Sequence, residues 1–307
     1  MIIAHGDVDG VISAVIAARS LGEDAEFYFS GPRSIDRALS ILPRGGDKLL
    51  IVDIAVNPDK VNEVEDQLRR LSESGWRITW IDHHAWPPEA IERLSKYADM
   101  RIRRALSAAR VVLEELGGGE YEEELVAIAD DADTATYADE RAKMYNALTR
   151  DKGKREYLLK ALLNGRLVDE KVKEWAMEKI REQERAVEDG IRHSRIEETR
   201  SGRRFAVIDL RPKGGPGSLI SKRLAEEWGV EFSLVIYSCS KFSLYAGKDK
   251  GVNLKPICEA HGGGGHPYAC GGKIEIDLLG RLICLLLGRR YKPKQIKELV
   301  EEVKSKL

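Results

Sequence analysis

A chain of 307 residues is long enough for two domains, each with a core of its own. Its 50 Lys+Arg offset 51 Asp+Glu for a formal net charge of -1, which argues against a bulk electrostatic hold on long nucleic acids or membranes and leaves only local basic patches. No apolar run reaches the roughly 20 residues of a membrane span, residues 282–287 being far too short. Cys239, Cys258, Cys270 and Cys284 show no C-x-x-C spacing, so the expectation is a soluble, cytoplasmic protein with reduced, buried thiols.

Residues 1–5 run apolar into Ala4-His5-Gly6-Asp7-Val8-Asp9-Gly10, and a helical pattern starts at about Asp9, with Val11, Ile12, Val15 and Ile16 on one face. An extended backbone from His5 to Asp9 would turn His5, Asp7 and Asp9 to one side. A helix cap by Asp9 alone would leave His5 and Asp7 unexplained. Residues 25–29 and 49–52 read as strands, the latter ending in Asp53. Asn57-Pro58 opens a helix that Gly75 stops, and residues 77–81 form a fourth strand that runs into Asp82-His83-His84. The carboxyl ends of strands in open α/β sheets are where ligands bind. A fifth strand over 97–102 and helices over 107–116 and 122–131 follow, the last ending among Asp130, Asp131 and Asp133. This alternation predicts an α/β fold with an N-terminal doubly wound parallel sheet over residues 1–140.

Residues 141–195 show helical periodicity and no strand, the pattern of a helical connector with a solvated, charged face. Residues 196–307 then read as a smaller α/β domain with a mixed sheet, containing strands over 205–210, 232–238 and 241–247 and helices up to Trp228 and over 253–260. The last of these empties into His261-Gly262-Gly263-Gly264-Gly265-His266, with a strand expected over 273–276. Successive glycines let a backbone approach an anion such as phosphate.

Five of the six histidines, His5, His83, His84, His261 and His266, fall in these motifs. His5, Asp7, Asp9, Asp53, His83 and a later acid form an oxygen and imidazole set large enough for two divalent metals, with Asp53 placed to bridge them. Carboxylate-rich ligation without thiolate favours manganese, magnesium or cobalt over a closed zinc site. The chemistry such a pair serves is phosphoester hydrolysis.

His5-x-Asp7-x-Asp9-Gly10, Asp53 at a strand end, Asp82-His83-His84 and Gly263-Gly264-Gly265-His266-Pro267-x-Ala269-Cys270-Gly271 together resemble the DHH phosphoesterases that carry a DHH-associated domain. That group includes RecJ-type exonucleases, NrnA-type oligoribonucleases and bisphosphate-nucleotide phosphatases, and the resemblance spans nearly the whole chain. It implies His5, Asp7 and Asp53 on one metal, with Asp9, Asp53, His83 and one acid of 130–133 on the other. Counting on from Ile128 favours Asp131, matching Asp-Thr favours Asp133, and Asp130 is third; Asp131 is the choice carried forward. Asp82, His83 and His84 would form the catalytic motif, and Gly263, Gly264, Gly265 and His266 would hold a terminal phosphate of the nucleotide.

Arg101, Arg103, Arg104 and Arg110 offer a local basic patch, with Arg104 the substrate-binding candidate. Two departures from the family pattern stand out. Tyr245 replaces an arginine common among relatives, with Lys241 or Lys248 as substitutes, and Cys270 replaces a usual alanine, a change expected to be silent. The resemblance implies a hydrolase of exonuclease type that takes short single-stranded RNA or DNA oligonucleotides to mononucleotides with two divalent metals, manganese first. The absence of a further domain after the glycine loop fits short substrates. Hydrolysis of 3′-phosphoadenosine 5′-phosphate or of linear or cyclic dinucleotides is the alternative within the class, and a catalytically silent scaffold subunit the alternative outside it. No membrane partner is expected, and a homodimer is allowed.

Overall fold

A computed structural model describes residues 1–22, 25–247 and 251–307, so Lys248 lies outside the described residues. In the first part of the chain, β1 (Ile2–His5), β2 (Phe27–Ser30), β3 (Lys48–Val52), β4 (Arg77–Asp82) and β5 (Asp99–Ile102) form a parallel sheet in the order β2-β1-β3-β4-β5. Ile2-Ile3-Ala4 and Leu49 to Val52 are unbroken apolar runs because both faces of the sheet are covered. On one face α1 (Val8–Leu21), α5 (Ala108–Leu116) and α6 (Glu120–Asp133) pack on Ala4, Val52 and Ile81. On the other, α2 (Ile35–Ser40), α3 (Val61–Glu73) and α4 (Pro88–Leu94) pack on Ile3, Ile51 and Trp80. The sheet is doubly wound. This strand order reverses between β1 and β3, and a ligand crevice opens at such a point; the two strand ends there carry His5 and lead into Asp53.

The helices that follow do not merely connect. α7 (Glu140–Thr149), α8 (Lys152–Leu163) and the first turns of α9 (Glu170–Arg192) bury Tyr145, Leu148, Leu158, Leu162, Val172 and Ala176 in the same core as α1. By compactness the chain divides into Met1–Ile180 and Arg181–Leu307. That boundary falls inside α9 rather than at 140 and 195, because the apolar positions between the charges are buried against the first unit.

The second unit holds β6 (Ser194–Glu198), β7 (Arg204–Asp209), α10 (Gly217–Glu227), β8 (Phe232–Ser238), β9 (Lys241–Ala246), α11 (Lys255–Ala260), β10 (Gly264–His266), β11 (Ala269–Lys273), α12 (Leu278–Leu287) and α13 (Lys294–Lys306). Its sheet runs β10-β11-β9-β8-β7-β6, with β7 and β8 parallel and the other pairs antiparallel. Phe205 and Phe232 stack in one core with Ile257 and Val300, while Ala206, Val235, Ile220 and Leu224 fill the core beneath α10.

Four expectations are corrected here. β6 is a strand that sequence alone hides, since Ser-Arg-Ile-Glu-Glu is a polar edge. The strand expected over 273–276 lies earlier, at β11, and the glycine run is a loop only at Gly262 and Gly263: Gly264 pairs with Gly271, Gly265 with Cys270 and His266 with Ala269 in a hairpin. The cysteines are not reduced, since Cys239 is bonded to Cys284 and Cys258 to Cys270, so Cys270 is not a silent change. These partners lie 45 and 12 residues apart and are joined by the fold, which spacing does not reveal. No helix among the described residues is long and apolar enough to cross a membrane.

Candidate metal centre

α1 begins with Asp7 as its cap, the carboxylate accepting the N–H of Gly10 at 3.0 Å. His5, Asp7 and Asp9 therefore converge through a strand end, a cap and a first helical turn, and not along an extended backbone. A side chain at Gly10 would collide with the His5 carbonyl, so glycine is what lets α1 start against β1. Asp53 follows β3 in the left-handed region at φ 58°, a conformation that costs energy and concentrates at functional sites. Its N–H is anchored on the Ile81 carbonyl at 3.1 Å.

These backbones bring two groups of ligand atoms together. His5 Nδ1 lies 2.7 Å from Asp7 Oδ2 and 3.7 Å from Asp53 Oδ2. His83 Nε2 lies 3.7 Å from Asp9 Oδ2, 3.8 Å from Asp53 Oδ1 and 3.6 Å from Asp133 Oδ2. Asp53 thus turns one oxygen to each group.

The surrounding protein fixes these atoms. His83 Nδ1 donates to the Ala105 carbonyl at 3.2 Å, which leaves Nε2 as a lone pair facing the acids. Asp9 accepts the N–H groups of Ala108 at 2.6 Å and Ala109 at 2.8 Å, at the positive end of α5. Asp82, fully buried, accepts His84 Nδ1 at 2.8 Å on one oxygen and Trp86 Nε1 at 2.6 Å on the other.

The three acids at the end of α6 separate cleanly. Asp130 accepts Ser107 Oγ at 2.6 Å and the guanidinium of Arg110. Asp131, chosen from the sequence, instead accepts the N–H groups of Ala138 at 3.0 Å and Asp139 at 2.8 Å, holding a turn in which Ala135 and Tyr137 are left-handed. Asp133 is the acid that meets His83. The physical reason is that α6 runs on to Asp133, and residue 131 points about 100° away from the face that 130 approximately shares with 133.

Sequence reasoning missed Arg155 on α8. Its guanidinium lies over the Phe29 ring at 4.5 Å, and its Nη1 donates to the carbonyls of Gly6 and Thr149, both at 3.2 Å. It backs the loop that carries His5, Asp7 and Asp9. Nothing distinguishes this arginine from its charged neighbours until α8 is seen to pack on α1.

Of the expected substrate residues, Arg104 is exposed and lines a cavity of about 510 Å³ with Arg103, Leu106 and Arg110. Arg101 pairs with Asp99 and Glu115, Arg103 with Glu114 and Glu115, and Arg110 with Asp130; Arg104 makes no ion pair among the described residues. Gly263, Gly264, Gly265 and His266 belong to the second unit, where His266 stacks on Tyr268 with centroids 5.7 Å apart. Tyr245 shares a hydroxyl contact of 3.1 Å with Tyr237.

Burial raises the carboxyl of Asp53 well above its ordinary value, helped by the charges of Asp9 and Asp7, and burial lifts Asp9 to about 7 against the pull of the Ala108 and Ala109 amides. Burial also raises Asp133. The hydrogen bond to Asp7 raises His5, and the hydrogen bond to Asp82 raises His84. For Asp7, burial is outweighed by the His5 contacts, and the carboxyl is lowered. Acids so placed resist ionising together without a cation among them. Asp53 Oδ2 and His83 Nε2 are buried and lack any hydrogen-bond partner, although they lie in the two ligand groups. The donors therefore fit divalent metals: His5, Asp7 and Asp53 form one group and Asp9, His83 and Asp133 another, Asp53 Oδ1 reaches to 3.8 Å from His83 Nε2, and Asp53, Asp82, His83 and His84 cluster beside them.

The DHH family, N-terminal domain, matches residues 1–138. Among solved structures, the chain is similar to the pGpG-specific phosphodiesterase PggH of Vibrio cholerae, at 17% identity and TM-score 0.59 over 93% of this chain and 97% of that one. It is also similar to the DHH domain of a member of a ribosomal-protein family, at 17% identity and TM-score 0.60 over 98% of this chain and 85% of that one. RecJ of Thermus thermophilus, in complex with Mn²⁺, matches at 15% identity and TM-score 0.55 over 99% of this chain and 51% of that one. At these identities the likeness shows the fold. None of the curated proteins matches the sequence.

Proposed function

Because residues 1–138 match the DHH family, N-terminal domain, we propose that the protein is a divalent-metal-dependent phosphodiesterase that takes short single-stranded RNA or DNA oligonucleotides to mononucleotides. The observation that carries this reading is Asp53, whose two oxygens face two separate histidine and carboxylate groups 3.7 and 3.8 Å away. When bound, a pair of divalent cations, manganese by preference, supplies Lewis acidity toward a phosphoryl group and a nucleophile from water at neutral pH.

The chain's own residues supply the rest. Asp82 holds His84 by Nδ1 and raises its pKa, which favours the protonated ring and leaves Nε2 of this half-exposed side chain for a phosphoryl or leaving oxygen. Trp86 keeps Asp82 from turning away. Arg104, with no ion pair among the described residues, offers its charge to the phosphate backbone, and Leu106, 56% exposed beside it, an apolar surface for a base. In the second unit β10 is an edge strand, so its outward peptide groups and His266 are available to a terminal phosphate. The near-neutral net charge suits short substrates over long tracts.

The test is digestion of short end-labelled RNA and DNA oligomers, a linear dinucleotide and adenosine 3′,5′-bisphosphate in parallel, with Mn²⁺ or EDTA and an Asp82→Ala control. Manganese-dependent shortening to mononucleotides is expected, lost with EDTA and in the variant. Phosphate release from the bisphosphate alone would replace the proposal with a nucleotide phosphatase. No turnover of any substrate, with Mn²⁺ bound by calorimetry, would leave a silent scaffold.

A further inference from the structure

α12 is a helix turned inside out. Leu278, Leu279, Leu282, Leu285, Leu286 and Leu287 are 82%, 65%, 54%, 69%, 74% and 51% exposed. Wound at about 100° per residue, the first five fall within one arc of about 120°. The opposite side buries only the small residues Gly280 and Cys284, and Cys284 is bonded to Cys239 at the turn between β8 and β9. A covalent bond, and not a leucine face, fastens this helix to its unit. Single exposed leucines need no explanation, but a contiguous row does.

Size and charge point to what covers the row. The five leucine side chains of this arc present on the order of 500 Å² of apolar surface, in the upper part of what a monomer's largest patch shows and more than half of the ~800 Å² each partner gives to a standard interface. Within α12 the one charged residue is Arg281, which does not interrupt the row. Asp277 before the helix is used as its cap, and Arg289 and Lys292 after it pair with Asp189 and Asp209, but exposed Glu275 before the helix and exposed Arg290 after it make no ion pair among the described residues. Two such helices laid antiparallel set acidic end against basic end, whereas parallel pairing sets like against like. The leucines at 278, 282 and 285 and at 279, 282 and 286 follow the spacings by which ridges of facing helices interdigitate. A surface that complements itself under a two-fold rotation is the requirement of an isologous dimer.

We infer that α12 docks on α12 of a second copy of this chain, antiparallel, about a two-fold axis near Leu282. A lipid surface suits the leucines but gives no role to the opposed charges at the two ends.

The test is sedimentation velocity of the full chain at micromolar concentrations, beside Leu282→Glu/Leu286→Glu and Leu282→Cys variants. The wild type is expected to be a dimer, and the double variant a monomer with unchanged circular dichroism, melting temperature and Mn²⁺ titration. The cysteine variant is expected to form a disulfide-linked dimer on mild oxidation, since position 282 would face itself. A wild-type monomer at every concentration overturns the inference, as does a dimer that survives the double variant. Leucine-dependent sedimentation of a monomer with phosphatidylglycerol vesicles would assign the row to a membrane surface instead.

Discussion

Both units bury aspartates, and they treat them in opposite ways. In the second unit Asp209, 7% exposed, is clasped by Arg211, itself 1% exposed, through Nε at 2.8 Å and Nη2 at 2.7 Å. Burial works against ionisation there too, but Arg211 overrides it and holds the carboxyl below its ordinary range. In the first unit Asp9 and Asp53 are more deeply buried, yet among the described residues no lysine or arginine pairs with either, and both carboxyls are raised. Arg110 and Arg155 stand close by and are spent elsewhere, on Asp130 and on backbone carbonyls. A buried acid that brings its own cation is architecture. One that is denied a cation by its neighbours is a place for a cation from outside.

The largest effect that could break this contrast comes from Asp53→Asn. It should lower phosphodiester hydrolysis by on the order of 10³-fold, the scale of removing one charge-stabilising group, while raising the melting temperature of the metal-free protein. Unchanged activity would sink the two-group reading.

Next is Arg211→Met, which strands a buried carboxylate and should cost about 3–5 kcal/mol in denaturant unfolding while the first unit's Mn²⁺ affinity stays as it was. Loss of metal binding in that variant would mean that the two centres are not independent.

Smaller again is the comparison of Asp133→Asn with Asp131→Asn. The first should weaken Mn²⁺ binding by roughly 10–100-fold, a range typical of losing support at a metal site. The second should leave affinity alone and cost about 1 kcal/mol through the 138–139 turn; the reverse result would restore Asp131 as the ligand.

The mildest effect is on pH. Asp9 at about 7 means that the folded, metal-free protein keeps a proton which the unfolded chain releases near pH 4. The contribution of Asp9 to stability without metal should therefore fall as pH rises from about 4 to about 7, read as the difference from an Asp9→Asn variant because carboxyls held low, such as Asp7 and Asp209, act with the opposite sign. The raised His5 and His84 act with the same sign at higher pH, their contribution being lost as pH rises through their folded values. Saturating Mn²⁺ should reverse the slope, because metal competes with those protons. Melting temperatures in EDTA and in Mn²⁺ across this range read both slopes.

Much of the first unit was legible because its strands are unbroken apolar runs whose ends carry ionisable residues. His5, Asp7, Asp9, Asp53 and His83 could be placed from that punctuation alone. What stayed hidden was set by three-dimensional register. Asp131 and Asp133 differ by a helix end two residues further on, and Arg155 acquires its role only when α8 lies against α1. In the second unit a polar strand, a glycine hairpin and two disulfides gave no periodic signal, and the leucines of α12 could be read only as too short for a membrane span, because periodicity does not say which side of a helix meets the protein.

The left-handed backbone at residue 53 has a consequence for inheritance. Apart from glycine, aspartate and asparagine are among the few residues that enter that conformation readily. Glutamate keeps the charge but fits the backbone poorly and carries its carboxylate further out. Glycine and asparagine fit the backbone but surrender the second anionic oxygen. Position 53 thus has no neutral neighbour among the twenty residues: a lineage can abandon the paired site there in a single step, but it cannot drift through intermediate forms of it.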